Sequence, residues 1–206
     1  MSLKVWLPLN GTLENLGLST VPDGFGASAT YGTGKIGALA YNTNVSSTTK
    51  LWPELVGLTT FSIAYWFKCE PVTSTAWSDL WGLQYSTSNN TIAYMREERQ
   101  ANTYTDRTRF YFIKDTTKVD TYSYYGTALF TGANSWSHMT ITKTPEEWKI
   151  YRNGTLLNTY TCSTYENSPG SLTGNFYLGM AGSNGFLNDF RIYDHCLSAA
   201  EVREIS

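Results

Sequence analysis

The sequence predicts an all-β domain, two antiparallel sheets packed as a sandwich and closed by a short helical turn at the C-terminus. Three observations carry this. Short runs of β-forming residues recur between turn-forming residues along most of the chain. Aromatic residues make up 15 % of the sequence, while charged residues are only 16 %, against about 25 % in an ordinary globular domain. Helical signals are confined to the C-terminal end. A surface poor in charge must be built from Ser, Thr, Asn and Tyr, which suits extracellular β-proteins. The 206 residues fit a single domain spanning 1–206, without a linker or an internal repeat.

Taken in order, the first run, Leu3 to Leu9, alternates in polarity and stops at the turn pair Asn10-Gly11. Phe61 to Phe67 is aromatic on both faces, the mark of a central strand covered on both sides. Arg109 to Ile113 and Met139 to Lys143 follow. Trp148 to Tyr151 runs into Asn153-Gly154 and then Thr155 to Leu157. Asn-Gly accepts positive φ at both central positions, so this is the strongest hairpin signal in the chain. Phe176 to Met180 and Phe186 to Tyr193 complete the strands. Ser198 with Glu201 three residues later makes a capping box, and Leu197 with Val202 a hydrophobic staple. The large rings of Trp66, Trp136 and Trp148 suit the layer between two sheets. The least regular stretch, from about Val72 to Ala133, is rich in Trp and Tyr among Ser, Thr and Asn.

Several function classes are disfavoured. The formal net charge is −2, and the densest basic group, Arg96, Arg99, Arg107 and Arg109, is interleaved with Glu97, Glu98 and Asp106. Nucleic-acid binding needs a concentrated positive field, so no such partner is expected. No apolar run is long enough to span a membrane, and no membrane insertion is expected. The opening residues enter a strand pattern at once, leaving no room for a signal peptide. Either a leader has been removed, or the protein leaves its cell without one. Cys69, Cys162 and Cys196 are odd in number and widely spaced. They read as free thiols, with one bridge plus one free thiol as the alternative. Four Asn-x-Ser/Thr acceptor patterns, at Asn10, Asn44, Asn89 and Asn153, are discounted without a leader.

Catalysis has few players. Glycoside hydrolysis needs two carboxylates flanking a bond, and the adjacent pairs Glu97-Glu98 and Glu146-Glu147 would point apart on a strand. No nucleophile elbow, zinc-protease helix or phosphate loop is present, and His138 and His195 are the only histidines. His138 reads as a satisfied structural histidine. No catalytic residue is assigned.

Carbohydrate binding fares better. Sugars stack their C–H faces on aromatic planes while a few placed polar groups take the hydroxyls. The middle stretch supplies Trp77 and Trp81, four apart, Tyr122 and Tyr124 beside Asp120, and Tyr104 near Asp106. The same aromatics also suit β-strands and a sandwich core.

The second half has a recognisable order: Trp136-Ser137-His138-Met139-Thr140-Ile141, then Trp148-Lys149-Ile150-Tyr151-Arg152-Asn153-Gly154, then Phe176-Tyr177-Leu178-Gly179. Last come Gly185 to Tyr193 and Leu197-Ser198-Ala199-Ala200-Glu201-Val202. This order resembles the laminin-G-like family of concanavalin A-like jelly rolls, and Gly34 to Leu39 and Phe61 to Trp66 match that family's early strands. Within it, the opening Trp6 to Gly11 and the closing Asn188 to His195 resemble phage and prophage proteins of gut bacteria.

The resemblance implies a non-catalytic recognition or adhesion module, on a virion or otherwise extracellular, facing glycans or another cell-surface polymer. The alternatives are a purely structural virion protein, acting as a homo-oligomer or against virion partners, and an accessory carbohydrate-binding domain of a secreted bacterial protein. Calcium is the one cofactor it implies. Calcium-binding relatives use oxygens on rim loops, often with an acid opening the last strand. Here that position is Asn188, followed by Asp189, with Asn10, Asn15 and Asp23 available from N-terminal loops. A neutral Asn would weaken such a site, and the same residues also form turns and caps.

Overall fold

The computed structural model describes residues 2–26, 28–43, 48–69, 77–86, 92–100, 107–114, 117–119, 135–161, 171–179 and 185–206. Fourteen strands and one short helix are found among them: β1 (Leu3–Leu7), β2 (Tyr31–Thr33), β3 (Leu39–Asn42), β4 (Lys50–Leu51), β5 (Phe61–Cys69), β6 (Trp77–Ser86), β7 (Ile92–Gln100), β8 (Arg107–Lys114), β9 (Thr117–Val119), β10 (Trp136–Lys143), β11 (Glu147–Arg152), β12 (Thr155–Thr161), β13 (Leu172–Leu178), β14 (Gly185–Tyr193) and α1 (Ala199–Glu204). A 3₁₀ turn covers Pro53–Leu55.

The strands form two antiparallel sheets. One runs β12-β11-β10-β5-β14-β3-β2, with β1 also paired to β14; the other runs β4-β13-β6-β7-β8-β9. The fold is the predicted jelly-roll sandwich. The stretch between Val72 and Ala133 is more regular than its composition predicts, because it supplies β6 to β9. Its strand β7 reads Ile-Ala-Tyr-Met-Arg-Glu-Glu-Arg-Gln, and the charged run hides the period-two alternation that would announce a strand.

Alternation on β5 builds the interior. Phe61, Ile63, Tyr65 and Phe67 are buried in the core between the sheets. An aromatic column crosses that space. Tyr65 and Phe190 of the larger sheet stack at 5.6 Å, and Phe190 stacks on Phe176 of the smaller sheet at 5.2 Å. Phe176 continues to Phe25 at 5.7 Å, which meets Trp52 edge-on at 5.2 Å. Each buried ring contributes about 2–3 kcal/mol by leaving water. Trp148 joins this core as expected, but Trp66 and Trp136 do not. Their positions have the opposite parity to Tyr65 and Met139, so both rings lie on the outward face of the larger sheet.

Two local signatures form as predicted. The hairpin β11–β12 turns at Asn153 (φ 45°) and Gly154 (φ 76°). Ser198 Oγ accepts from the Glu201 N–H at 3.3 Å, while the Ser198 N–H donates to Glu201 Oε2 at 2.7 Å. Leu197 and Val202 then pack with Tyr151, so the C-terminal segment covers one end of the outward face. Beneath it, Ser62 donates to the His195 carbonyl at 2.7 Å and accepts from Leu197 N–H at 2.9 Å. The predicted covering of β5 on both faces therefore holds at its start.

Candidate functional site

Toward the other end of β5 the outward face opens. In register across β10, β5 and β14 stand Trp136, Lys68 and Phe186; the next row is His138, Trp66 and Asn188. Trp66, Lys68, Trp136 and Phe186 are partly exposed, and Lys35 is exposed above them. Lys35 Nζ lies 4.8 Å from the Trp66 ring centre. Lys68 Nζ lies 4.7 Å from Phe186 and 5.8 Å from Trp136. The Phe186 ring is seated directly on Gly32 of β2, where a Cβ would come within 2.2 Å of it. Three aromatic planes and two ammonium groups are thus gathered on one patch of sheet.

The floor of the patch is buried. His138 is buried and meets Trp66 edge-on at 5.1 Å between ring centres. Burial, with the charge of Arg191 second, pushes its pKa down to about 4, so it is neutral at physiological pH. The expectation of a structural histidine fits this position.

Asn188 and Asp189 sit at a β-bulge in β14, where the register shifts between Asn188 and Arg191. Here the strand changes neighbour, from β3 at Phe186 and Leu187 to β1 at Phe190 to Tyr193. Asn188 is fully buried and joins the two ends. Its Oδ1 accepts from the backbone N–H groups of Lys35 (3.1 Å) and Ile36 (2.6 Å), and its Nδ2 donates to Pro8 O (2.7 Å) and Leu39 O (3.3 Å). Asp189 adopts φ 55°. Its carboxylate accepts from Trp6 Nε1 at 2.8 Å and Arg191 Nε at 2.9 Å, and its other oxygen lies 2.8 Å from an Arg191 terminal nitrogen. The local pairing of Arg191 with Asp189 predicted from the strand pattern is present, and Arg191 also lies over the Trp6 ring at 5.2 Å.

These bonds decide how the calcium candidates fit. The oxygens of Asn188 and Asp189 are engaged by N–H donors, which a cation would have to displace. Asn15 Oδ1 likewise accepts from Trp6 N–H and Gly17 N–H. Asn10 and Asp23 are exposed, 13 residues apart in the segment between β1 and β2, and no group of three His, Cys, Asp or Glu converges among the described residues. The residues named for calcium do not form a donor set.

The carbohydrate candidates divide differently. Trp81 is fully buried, edge-on to Tyr65 at 6.3 Å, and has no plane to offer a ligand. This corrects the pairing of Trp77 with Trp81. The backbone of Trp77 opens β6, and its side chain lies outside what is described. Tyr104, Asp106, Asp120, Tyr122 and Tyr124 lie outside the described residues. Cys196 is a free thiol, while Cys162 and the Cys69 side chain are not described. Ring size alone points Trp66 and Trp136 to the core; the signal for the patch is the Trp66-Phe67-Lys68 alternation opposite Trp136 and His138.

The fold is that of a concanavalin A-like β-sandwich. The chain belongs to the concanavalin A-like lectin/glucanases superfamily, whose Laminin_G_3 family matches residues 40–203; β1, outside that range, completes the same sheet. No curated protein sequence matches the chain. Among solved structures, it is similar to domain 4 of a GH43 extracellular arabinanase from Geobacillus stearothermophilus, in complex with arabinotriose. The TM-score is 0.65 at 18 % identity, covering 99 % of this chain and 98 % of that one. The binding domain of botulinum neurotoxin serotype D matches with a TM-score of 0.72 at 12 % identity, covering 99 % of this chain but 50 % of that one. The same holds for its complex with N-acetylneuraminic acid, with a TM-score of 0.69 at 14 % identity and coverage of 99 % and 50 %. The chain thus spans the whole arabinanase domain and about half of each toxin binding domain. At these identities the likeness is one of fold.

Proposed function

We propose that this chain is a non-catalytic glycan-recognition module acting outside the cell that makes it, on a phage particle or as an accessory domain of a secreted protein. The carrying observation is the patch of Trp66, Trp136 and Phe186, three partly exposed planes on one sheet face. A pyranose buries its C–H face on such a plane, and a few polar groups beside it fix the orientation. The similar solved structures support the reading, being binding domains, one in complex with arabinotriose and another with N-acetylneuraminic acid. The non-catalytic part draws on the two histidines: His138 is buried, and His195 is engaged with Asp194 at 3.2 Å.

The test is a broad glycan array with the full chain, followed by titration of any hit against Trp66→Ala and Trp136→Ala. Loss of a stacking plane should weaken binding about tenfold or more. An array without any hit removes the reading. One further observation favours a subunit role in a larger assembly: β12, at the edge of its sheet among the described strands, leaves the apolar side chains of Leu156 (47 %) and Leu157 (38 %) exposed side by side. Light scattering discriminates, since a stable oligomer supports that role and a monomer removes it.

A further inference from the structure

We infer that the ligand of the Trp66–Trp136–Phe186 face is an acidic saccharide, a sugar bearing a carboxylate, held by the ammonium groups of Lys35 and Lys68. This rests on the glycan reading above and narrows it.

The argument begins with charge. The ammonium groups of Lys35 and Lys68 make no ion pair or hydrogen bond among the described residues; their contacts are the ring faces of Trp66, Phe186 and Trp136. A π face attracts an ammonium but does not neutralise it. Asp189, which follows Asn188 of the adjoining row, is already bonded to both Arg191 and Trp6. Among the described residues the face is therefore locally positive, on a chain whose formal net charge is −2. Lys35 is also positioned, since its backbone N–H is fixed by the buried Asn188. Lys68 is fixed on β5 between Trp136 and Phe186.

The geometry matches a sugar acid. A pyranose stacked on a ring turns its exocyclic carboxylate to the rim of that ring. A lysine already lying over the plane swings aside on its flexible stem, and its ammonium exchanges the ring face for a charge-assisted hydrogen bond to that carboxylate. A neutral sugar would displace the same ammonium and return only hydroxyl acceptors, which lack the charge. Aromatic planes with lysines also suit single-stranded nucleic acid. That recognition needs a basic track along many phosphates, however, and two ammonium groups on a net acidic chain do not make one.

The experiment is calorimetric titration of the full chain with matched pairs: sialyllactose against lactose, and oligogalacturonate against its methyl ester. Oligothymidylate serves as a third probe. The acidic member of at least one pair should bind about tenfold tighter or more than its neutral counterpart, and that advantage should shrink as salt rises. The double variant Lys35→Gln/Lys68→Gln should abolish the advantage with an unchanged melting temperature. Lys50→Gln, on the other sheet, should retain it. Equal binding of acidic and neutral members, or an advantage that survives the double variant, overturns the inference and leaves the glycan reading standing. No binding by any of these saccharides overturns the inference, and an empty glycan array overturns the glycan reading with it. Tighter binding of oligothymidylate than of either acid overturns the inference in favour of a nucleic-acid ligand.

Discussion

Asn188 holds the backbone of Lys35 from 153 residues away in the chain, through one carbonyl oxygen that accepts the Lys35 N–H at 3.1 Å. The same side chain bonds Ile36, Pro8 and Leu39, so one buried amide ties three segments together. Asn188→Leu removes the acceptor of two N–H groups and a donor to two carbonyls, of which Pro8 O keeps the Asp189 N–H. It is expected to cost about 2–4 kcal/mol, measured by urea denaturation. Asn188→Asp should be no milder, because a carboxylate would face the carbonyls of Pro8 and Leu39.

The occupied oxygens of Asn188 and Asp189 carry a second expectation. The melting temperature should be the same in chelator and in excess calcium. A clear rise with calcium in scanning calorimetry would show a donor set other than the one these residues could form.

Acid should destabilise the fold through His138. Its folded pKa, about 4, lies below its ordinary 6.5, so its contribution is complete above pH 6.5 and is lost as pH falls from there toward 4. The loss amounts to about 3 kcal/mol at most. Asp194 follows at lower pH. Burial would raise its pKa, but hydrogen bonds from the Ser2 N–H and hydroxyl and from His195, with the charge of Lys4, outweigh that and hold it well below the usual carboxylate range. Its contribution is likewise lost on acidification, below the ordinary carboxylate value. Denaturation at neutral pH and at about pH 4.5 should show the first loss in the wild type and a smaller one in His138→Gln.

The pair Asp189–Arg191 should behave as a unit. Asp189→Ala leaves the guanidinium unpaired over Trp6 and puts Ala at φ 55°, with an expected cost of about 3 kcal/mol. Asp189→Asn should cost less, since Asn tolerates that backbone region and keeps an acceptor for Trp6. Asp189→Asn combined with Arg191→Met should be milder than the sum of the single changes in a thermal-melt cycle.

Tyr65 runs the other way. Its hydroxyl is buried without a hydrogen-bond partner among the described residues, so Tyr65→Phe keeps the stacked column and removes a desolvated polar group. Stability should be unchanged or rise by about 1 kcal/mol.

What could be read from the sequence was local. The hairpin at Asn153-Gly154, the capping box of Ser198 and Glu201 and the centrality of Phe61 to Phe67 all depend on neighbours a few residues apart. The faces of Trp81 and of Asp189 do not. On an unbroken strand Trp77 and Trp81 would share a side, but β6 shifts register between Asp79 and Trp81, and Leu80 and Trp81 are both buried. β14 shifts at Asn188–Arg191. Each bulge adds one residue and reverses the parity beyond it, and neither composition nor alternation marks where that happens. Trp66 and Trp136 were misassigned for a related reason: a large ring suits a core and an exposed platform equally, and only sheet order tells them apart.

The placement of β14 also fixes an order of events. This strand lies between β5 on one side and β1 and β3 on the other, and Trp6 meets Asp189 across a separation of 183 residues. Until β14 has been synthesised, β1 and β5 each carry an open edge toward it, and Trp6 has no acceptor for its indole N–H. The larger sheet therefore closes only when the end of the domain has left the ribosome, which makes folding slow. A chain interrupted before Gly185 should be a target for chaperones and proteases rather than a smaller working domain.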